Sequence, residues 1–331
     1  MNAHLFNNLS RFFFLVLCVL GVTFSFVPQT SSAQVPFAGG VTLKLEPQFP
    51  GAHTPVTVSL DDYSINTAGA QILWYVDSVA QSAYTNARAM QFTTGTLGKK
   101  HVVNVRINRT NALPLSASVT IIPTEIHIIL EADTYVPSFY RGRALPSVAS
   151  PVRAIVLVQD GTKTAPSEYT YTWTEEGTVL LGGPIKGKNS FEFNMPQFGS
   201  KSLSVSVLNP VGEQVGKGYV LLEATEPELR FYEESPLRGL LQREMVGPFP
   251  FIGDEMVIHG EPYFMSNPVS ESTAQFTWKI GGNKSSSNTG TPNALRLERI
   301  GARGDTLVQL DIVTNDRAIP QFLTKRVQLV F

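Results

Sequence analysis

Residues 169–180 read Tyr-Thr-Tyr-Thr-Trp-Thr-Glu-Glu-Gly-Thr-Val-Leu. Rings at Tyr169, Tyr171 and Trp173 alternate with threonines, a period of two that puts aromatics on one face of a strand and hydroxyls on the other. The Glu-Glu-Gly that follows is turn chemistry, so the segment reads as a half-buried strand entering a hairpin. The other two tryptophans sit in the same pattern, with Ile72, Trp74 and Val76 on one face and Phe276, Trp278 and Ile280 on another. Trp74, Trp173 and Trp278 lie 99 and 105 residues apart. Each is expected to fill the core of one unit of a three-fold repeat.

Working outward, each tryptophan is followed by a short alternating run at Phe92, Phe193 or Leu297, and then by a turn glycine, Gly98, Gly199 or Gly304. A strongly alternating strand comes next: Val103, Val105 and Ile107; Leu203, Val205 and Val207; Val308, Leu310 and Ile312. A closing strand completes each unit, over Ser118 to Ile122, Lys217 to Leu222 and Lys325 to Phe331. Each unit opens with an extended stretch and a Pro/Gly turn. No 3.6-residue apolar stripe competes with these alternations. The expectation is all-β: three tandem two-sheet sandwiches of about seven strands each. Boundaries are expected near Pro123-Thr124 and Glu226-Pro227, giving units 34–123, 124–225 and 226–331. Linkers that short predict a stiff array.

The tryptophan stretches WYVDS, WTEEG and WKIGG, with the glycine-led strands GKKHVVNVRI, GSKSLSVSVLN and GDTLVQLDIV, resemble bacterial immunoglobulin-like domains, most of all the polycystic-kidney-disease (PKD) type. Asn209 and Gly212 are similar to that family's Asn-x-x-Gly hairpin. Lys100, Lys201 and Thr306 stand where the family usually has a tyrosine. The resemblance implies a spacer, adhesion or recognition module of the cell envelope, with no catalyst.

Composition agrees with strands and turns: 26 glycines, 22 prolines, 20 phenylalanines and 10 tyrosines in 331 residues. A formal net charge of -1 offers no field to gather nucleic acid, so nucleic-acid binding is not expected. Residues 1–33 read as a secretory signal, with the apolar run Phe12 to Val27 and Ser31 and Ala33 at the small positions before a cut. The chain is therefore expected to be exported, whether periplasmic, cell-surface or extracellular. Membrane contact is expected only through residues 12–27, if that signal is retained as an anchor. Cys18, the single cysteine, falls inside the run, so a processed chain has no disulfide and must rely on its cores.

No cofactor, metal or catalytic residue is expected. His4, His53, His101, His127 and His259 match no ligand spacing, and His101 and His127 are expected to point outward from strands. A Gly-x-Ser-x-Gly elbow is absent. The carboxylate pairs Asp61-Asp62, Glu175-Glu176, Glu233-Glu234 and Asp254-Glu255 read as solvated turns, with calcium between domains as the alternative for Asp61, Asp62 or Asp254. Arg303-Gly304-Asp305 is explained by its turn glycine.

The second and third units carry extra chain between the opening turn and the tryptophan. It holds Tyr135, Phe139, Tyr140, Arg141 and Arg143 in one, and Phe249, Phe251, Tyr263, Phe264 and Met265 in the other. Aromatics mixed with arginine suit a binding patch for a partner protein or a cell-surface glycan. The competing expectation is that the inserts fold over a sandwich or pack between domains. The reading as a whole is an exported, non-enzymatic spacer and binding protein. A periplasmic subunit of a secretion or pilus assembly and a carbohydrate-binding accessory protein are the alternatives.

Overall fold

The computed structural model describes residues 41–61, 69–266, 274–301, 303–314 and 320–331. The signal, its cleavage site and Cys18 lie outside the described residues, as does Asp62.

Apart from two short 3₁₀ turns, Ser82–Tyr84 and Pro166–Glu168, the regular structure of the described residues is all strand, sorted into three consecutive groups of two sheets each. In the first group, β1 (Leu43–Glu46), β2 (Pro55–Leu60) and β5 (Ala89–Thr93) form one sheet in the order β1-β2-β5. The facing sheet runs β4-β3-β6-β7, with β3 at Gln71–Val76, β4 at Val79–Ala80, β6 at His101–Asn108 and β7 at Leu115–Ile121. All pairings are antiparallel.

The second group repeats that order. Strands β8 (Glu125–Ala132), β9 (Pro151–Gln159) and β13 (Ser190–Asn194) make one sheet. The other is built on β10 (Thr170–Glu175), flanked by the short β11 (Thr178–Val179) and β12 (Ile185–Lys186) and by β14 (Ser200–Leu208), which pairs with β15 (Gln214–Glu223).

The third group adds strands from its insert. One sheet is β17-β16-β19-β22, with β16 at Glu228–Ser235, β17 at Gly239–Glu244, β19 at Glu255–Tyr263 and β22 at Ala294–Glu298. The other is β18-β24-β23-β20-β21, with β18 at Pro248–Pro250, β20 at Ala274–Ile280, β21 at Asn283–Ser285, β23 at Asp305–Thr314 and β24 at Phe322–Val330. β18 is parallel to β24. Two sheets face to face, antiparallel apart from β18, with the central strand order repeated in each group, make this a tandem array of immunoglobulin-type β-sandwiches.

Alternation explains the cores. β6 buries Val103, Val105 and Ile107, β14 buries Leu203, Val205 and Val207, and β23 buries Val308, Leu310 and Ile312. Each set packs with its own tryptophan, and Trp74, Trp173 and Trp278 are each 1 % exposed. A buried indole leaves one N–H to satisfy. All three do so in the same way, donating at 2.9 Å to a main-chain carbonyl of the crossover between sheets: Trp74 to Ala87, Trp173 to Lys188 and Trp278 to Pro292. Aromatic stacking extends the cores, with Phe231 on Trp278 at 5.7 Å and Phe191 beside Trp173 at 5.9 Å.

One side chain departs from expectation. His101 is buried rather than outward, because it begins β6 on the face of Val103 and Val105. The Gly95 N–H donates to its Nε2 at 2.9 Å, so Nδ1 carries the proton and donates to Asp77 at 2.8 Å. The Asp77 carboxylate also accepts from the Val102 N–H at 2.8 Å. That backbone bond, more than the His101 contacts, holds Asp77 below the usual carboxylate range against a smaller opposing effect of desolvation.

Candidate functional site: two locked junctions

Short connections bring neighbouring sandwiches into contact, and the first contact is made by backbone. Gly98 and Gly161 have φ of +74° and +75°, which glycine adopts freely. They also sit back to back. A Cβ on Gly98 would lie 2.5 Å from the Asp160 carbonyl oxygen, and one on Gly161 would lie 2.6 Å from that of Leu97. The Gly98 N–H donates to Pro123 O and the Thr124 N–H to Pro50 O, both at 3.0 Å, which fixes the crossing of the chain into the second sandwich. Gly98 thus serves both as the repeat's turn and as a place where the backbone of the next sandwich packs against it.

The second junction is made by the insert of residues 133–150. Its start pairs with the end of the third sandwich's β19: the Tyr135 N–H donates to Met265 O and the Phe264 N–H to Tyr135 O, each at 2.7 Å. Phe264 holds a φ of +61°, a region bulky side chains avoid. It is kept there by that backbone pair and by its neighbours. Phe139 stands edge-on to Tyr232 at 5.2 Å, and Tyr140 edge-on to both Tyr263 at 5.4 Å and Phe264 at 6.0 Å. Val136, Leu145 and Leu240 close the cluster. The Tyr232 and Tyr263 hydroxyls bond each other at 2.7 Å, and the Arg230 guanidinium lies 5.0 Å from the Tyr263 ring.

A polar tie stands beside the aromatic one. Gln321, 8 % exposed, accepts the Ser266 N–H on Oε1 at 2.8 Å. Its Nε2 reaches back into the second sandwich, donating to Ser147 Oγ at 3.2 Å and Val148 O at 3.1 Å. One amide side chain so satisfies groups on both sides of the junction. Glu261 is the buried charge of the interface, accepting from Asn293 Nδ2 at 3.1 Å and from the Tyr135 hydroxyl at 3.4 Å. Burial pushes its carboxyl upward, opposed by nearby His259 and by the Tyr135 bond. Burial and the Glu261 charge push the Tyr135 hydroxyl up to about 12. His259 lies between two carboxylates, 2.6 Å from Glu234 and 3.9 Å from Glu261.

Most residues of the expected binding patch lie at this junction, where the competing expectation placed them. Tyr135, Phe139, Tyr140, Tyr263 and Phe264 do come together, from segments over a hundred residues apart, and pack on one another across the junction, the first three half-buried and the last two buried. Phe251 is buried against Phe331, and Phe249 packs on the third core from β18. Arg141 and Arg143 remain exposed. Gln321 and the Gly98–Gly161 contact had no separate signal: a lone glutamine in a loop and two turn glycines are unremarkable until the partner is in place.

Other candidates for chemistry are occupied structurally. Glu175 pairs with Lys201, Asp254 with Arg299 at 3.2 Å, and Asp305 of the Arg-Gly-Asp tripeptide accepts from Gln328 at 3.0 Å. Among the described residues no group of three or more His, Cys, Asp or Glu is placed to hold a metal ion.

No family model matches the chain, and no curated protein does. Among solved structures, it is similar over 88% of its length to the three N-terminal domains of the bacteriophage RB49 highly immunogenic outer capsid protein, covering 99% of that chain at 11% identity with a TM-score of 0.23. It is also similar to the central fibronectin-III array of RIM-binding protein, over 89% of this chain and 97% of that one, at 12% identity and a TM-score of 0.29. A third is a Bacteroides ovatus glucan-utilization protein, SGBP-B, in complex with a mixed-linkage heptasaccharide (90% and 69% covered, 11% identity, TM-score 0.21). The likeness is one of architecture, tandem immunoglobulin- and fibronectin-type sandwiches, and nothing about ligand or activity passes from those proteins to this chain.

Proposed function

We propose that this chain is an exported, non-enzymatic spacer and binding module of the cell envelope, whose three sandwiches work as one stiff array. The observation that carries this reading is that both junctions are locked. Backbone bonds cross each of them, a glycine pair closes one and an aromatic cluster closes the other. Hinged multidomain chains join their domains through exposed linkers with few contacts; here the connecting residues are shared between neighbours. The leader pattern of residues 1–33 supports export. The Asn209 turn, in which Asn209 Oδ1 accepts the Val211 and Glu213 N–H groups at 3.1 and 2.9 Å, supports a PKD-type second sandwich.

The test is a distance measurement. Spin labels on the first and third sandwiches of the purified protein should give one narrow distribution, unchanged by salt; a broad or multimodal distribution would overturn the stiff-array reading. Sequencing the N-terminus of the exported protein tests the leader, with Gln34 expected first.

A further inference from the structure

The three tryptophan strands differ in how their open edges are covered. In β3, the Ile72 N–H donates to Asn86 Oδ1 at 3.1 Å and the Ile72 carbonyl accepts the Asn86 N–H at 2.8 Å. In β10, Tyr171 pairs with Ile185 of β12, and the Tyr169 carbonyl accepts the Gly187 N–H at 2.8 Å. Both edges are thus sealed by the chain's own crossover.

The equivalent position of β20 is Phe276. The Gly281 N–H donates to Leu307 O at 2.9 Å, and in the antiparallel register this places residues 275, 277 and 279 in bonds to β23. Phe276 N–H and C=O therefore face the other way. β21 covers only Trp278 to Ile280, and among the described residues nothing bonds the Phe276 main chain on that side. A cleft of about 530 Å³ opens there, lined by Ala274, Gln275, Phe276 and Thr277 on one wall and by Ser287, Thr291 and Pro292 on the other.

We infer that this half-edge of β20 accepts an extended, uncharged peptide segment of a partner protein, added as a strand alongside Ala274–Thr277. The open stretch of four residues is about 13 Å long at about 3.3 Å per residue, enough for a short strand. What the cleft presents is a backbone donor and acceptor side by side on Phe276, which is the complement of an extended backbone. Its side-chain hydroxyls are largely spent: Ser287 Oγ donates to Thr291 O and also lies 2.8 Å from Ala294 O, and Thr289 Oγ1 bonds the same two carbonyls. That wall has little left to offer a sugar. Among the described residues no ionisable side chain lines the cleft, which selects against a charged strand. The inference does not rest on the spacer reading, and its failure leaves that reading untouched.

The probe is a capped synthetic peptide of about six alternating threonines and valines, added to the purified full-length protein at up to about 1 mM. Saturable binding is expected, with exchange of the Phe276 amide slowed by at least about tenfold. The same peptide N-methylated at alternate residues should not bind. Gln275→Lys, which places a charge on the edge from an exposed position, and Thr291→Trp, which fills the cleft, should each weaken binding at least about tenfold while leaving the melting transition in place. Three results would overturn the inference: no binding at that concentration, binding with Phe276 exchange unchanged, or protection of Phe276 without peptide as the protein dimerises. Protection of Phe276 by cellohexaose but not by the peptide would replace the strand with a glycan.

Discussion

The aromatic cluster at the second junction can be removed without touching either core. In the double substitution Phe139→Ala/Tyr140→Ala, both truncated side chains belong to the insert of residues 133–150, outside the sheets. Three edge-to-face pairs cross the junction through them, at 5.2, 5.4 and 6.0 Å. At about 0.5–1.5 kcal/mol per pair, the coupling lost is about 1.5–4.5 kcal/mol before any loss of buried area. The backbone bonds between Tyr135 and residues 264–265 and the Gln321 tie remain, so the junction should loosen without separating. Calorimetry should show the second and third sandwiches of the native protein melting in one transition, and the variant resolving into two. Spin labels at Lys217→Cys and Glu298→Cys, both exposed and on different sandwiches, should give a broader distance distribution in the variant, after Cys18→Ser removes the competing thiol. A variant that keeps a single transition and the narrow distribution would refute the claim that these rings couple the domains.

Gly161→Ala places a methyl against the Leu97 carbonyl in a left-handed backbone, so the first sandwich should gain mobility relative to the second, seen as broadened label distances across residue 123. Gln321→Leu leaves the Ser266 N–H and the Val148 carbonyl without their partner and should cost about 1–3 kcal/mol per stranded group, measured by denaturant unfolding of the third sandwich. Glu261 is raised by burial, so the folded state holds its proton more tightly than the unfolded chain does. Its contribution is therefore greatest at acid pH and is lost as pH rises through the folded value, and Glu261→Gln should flatten that fall in a stability–pH series. Asp77 has the opposite sign: lowered in the fold, it stabilises above the ordinary carboxylate range and loses this as pH falls. Asp77→Ala should weaken the first sandwich at neutral pH and much less in acid.

The repeat was legible because a strand's side-chain period and a buried tryptophan are both local signals. Trp74, Trp173 and Trp278 with their flanking alternations mark three cores from sequence alone. What covers the aromatics of the inserts was not legible, because inserts have no period. Tyr140 and Tyr263 could be seen to be aromatic, but which surface would cover them depends on contacts across more than a hundred residues. His101 is a different case. It shares the parity of Val103, Val105 and Ile107, so its inward position is readable from the register, against the general tendency of a polar residue to face outward. Its partner Asp77 lies in the turn after β3, outside any strand pattern.

The indole bonds of the three tryptophans bear on the order of folding. Each acceptor carbonyl lies only 13 to 15 residues downstream of its ring, so the bond closes a short loop at small entropic cost. Each core can therefore assemble from its own hundred or so residues as they emerge from synthesis, before the next unit exists. The junctions cannot, since Gly98 waits for Gly161 and Tyr135 waits for Phe264. The contacts between sandwiches are thus made one neighbour at a time, from the first to the third, each after the cores it joins.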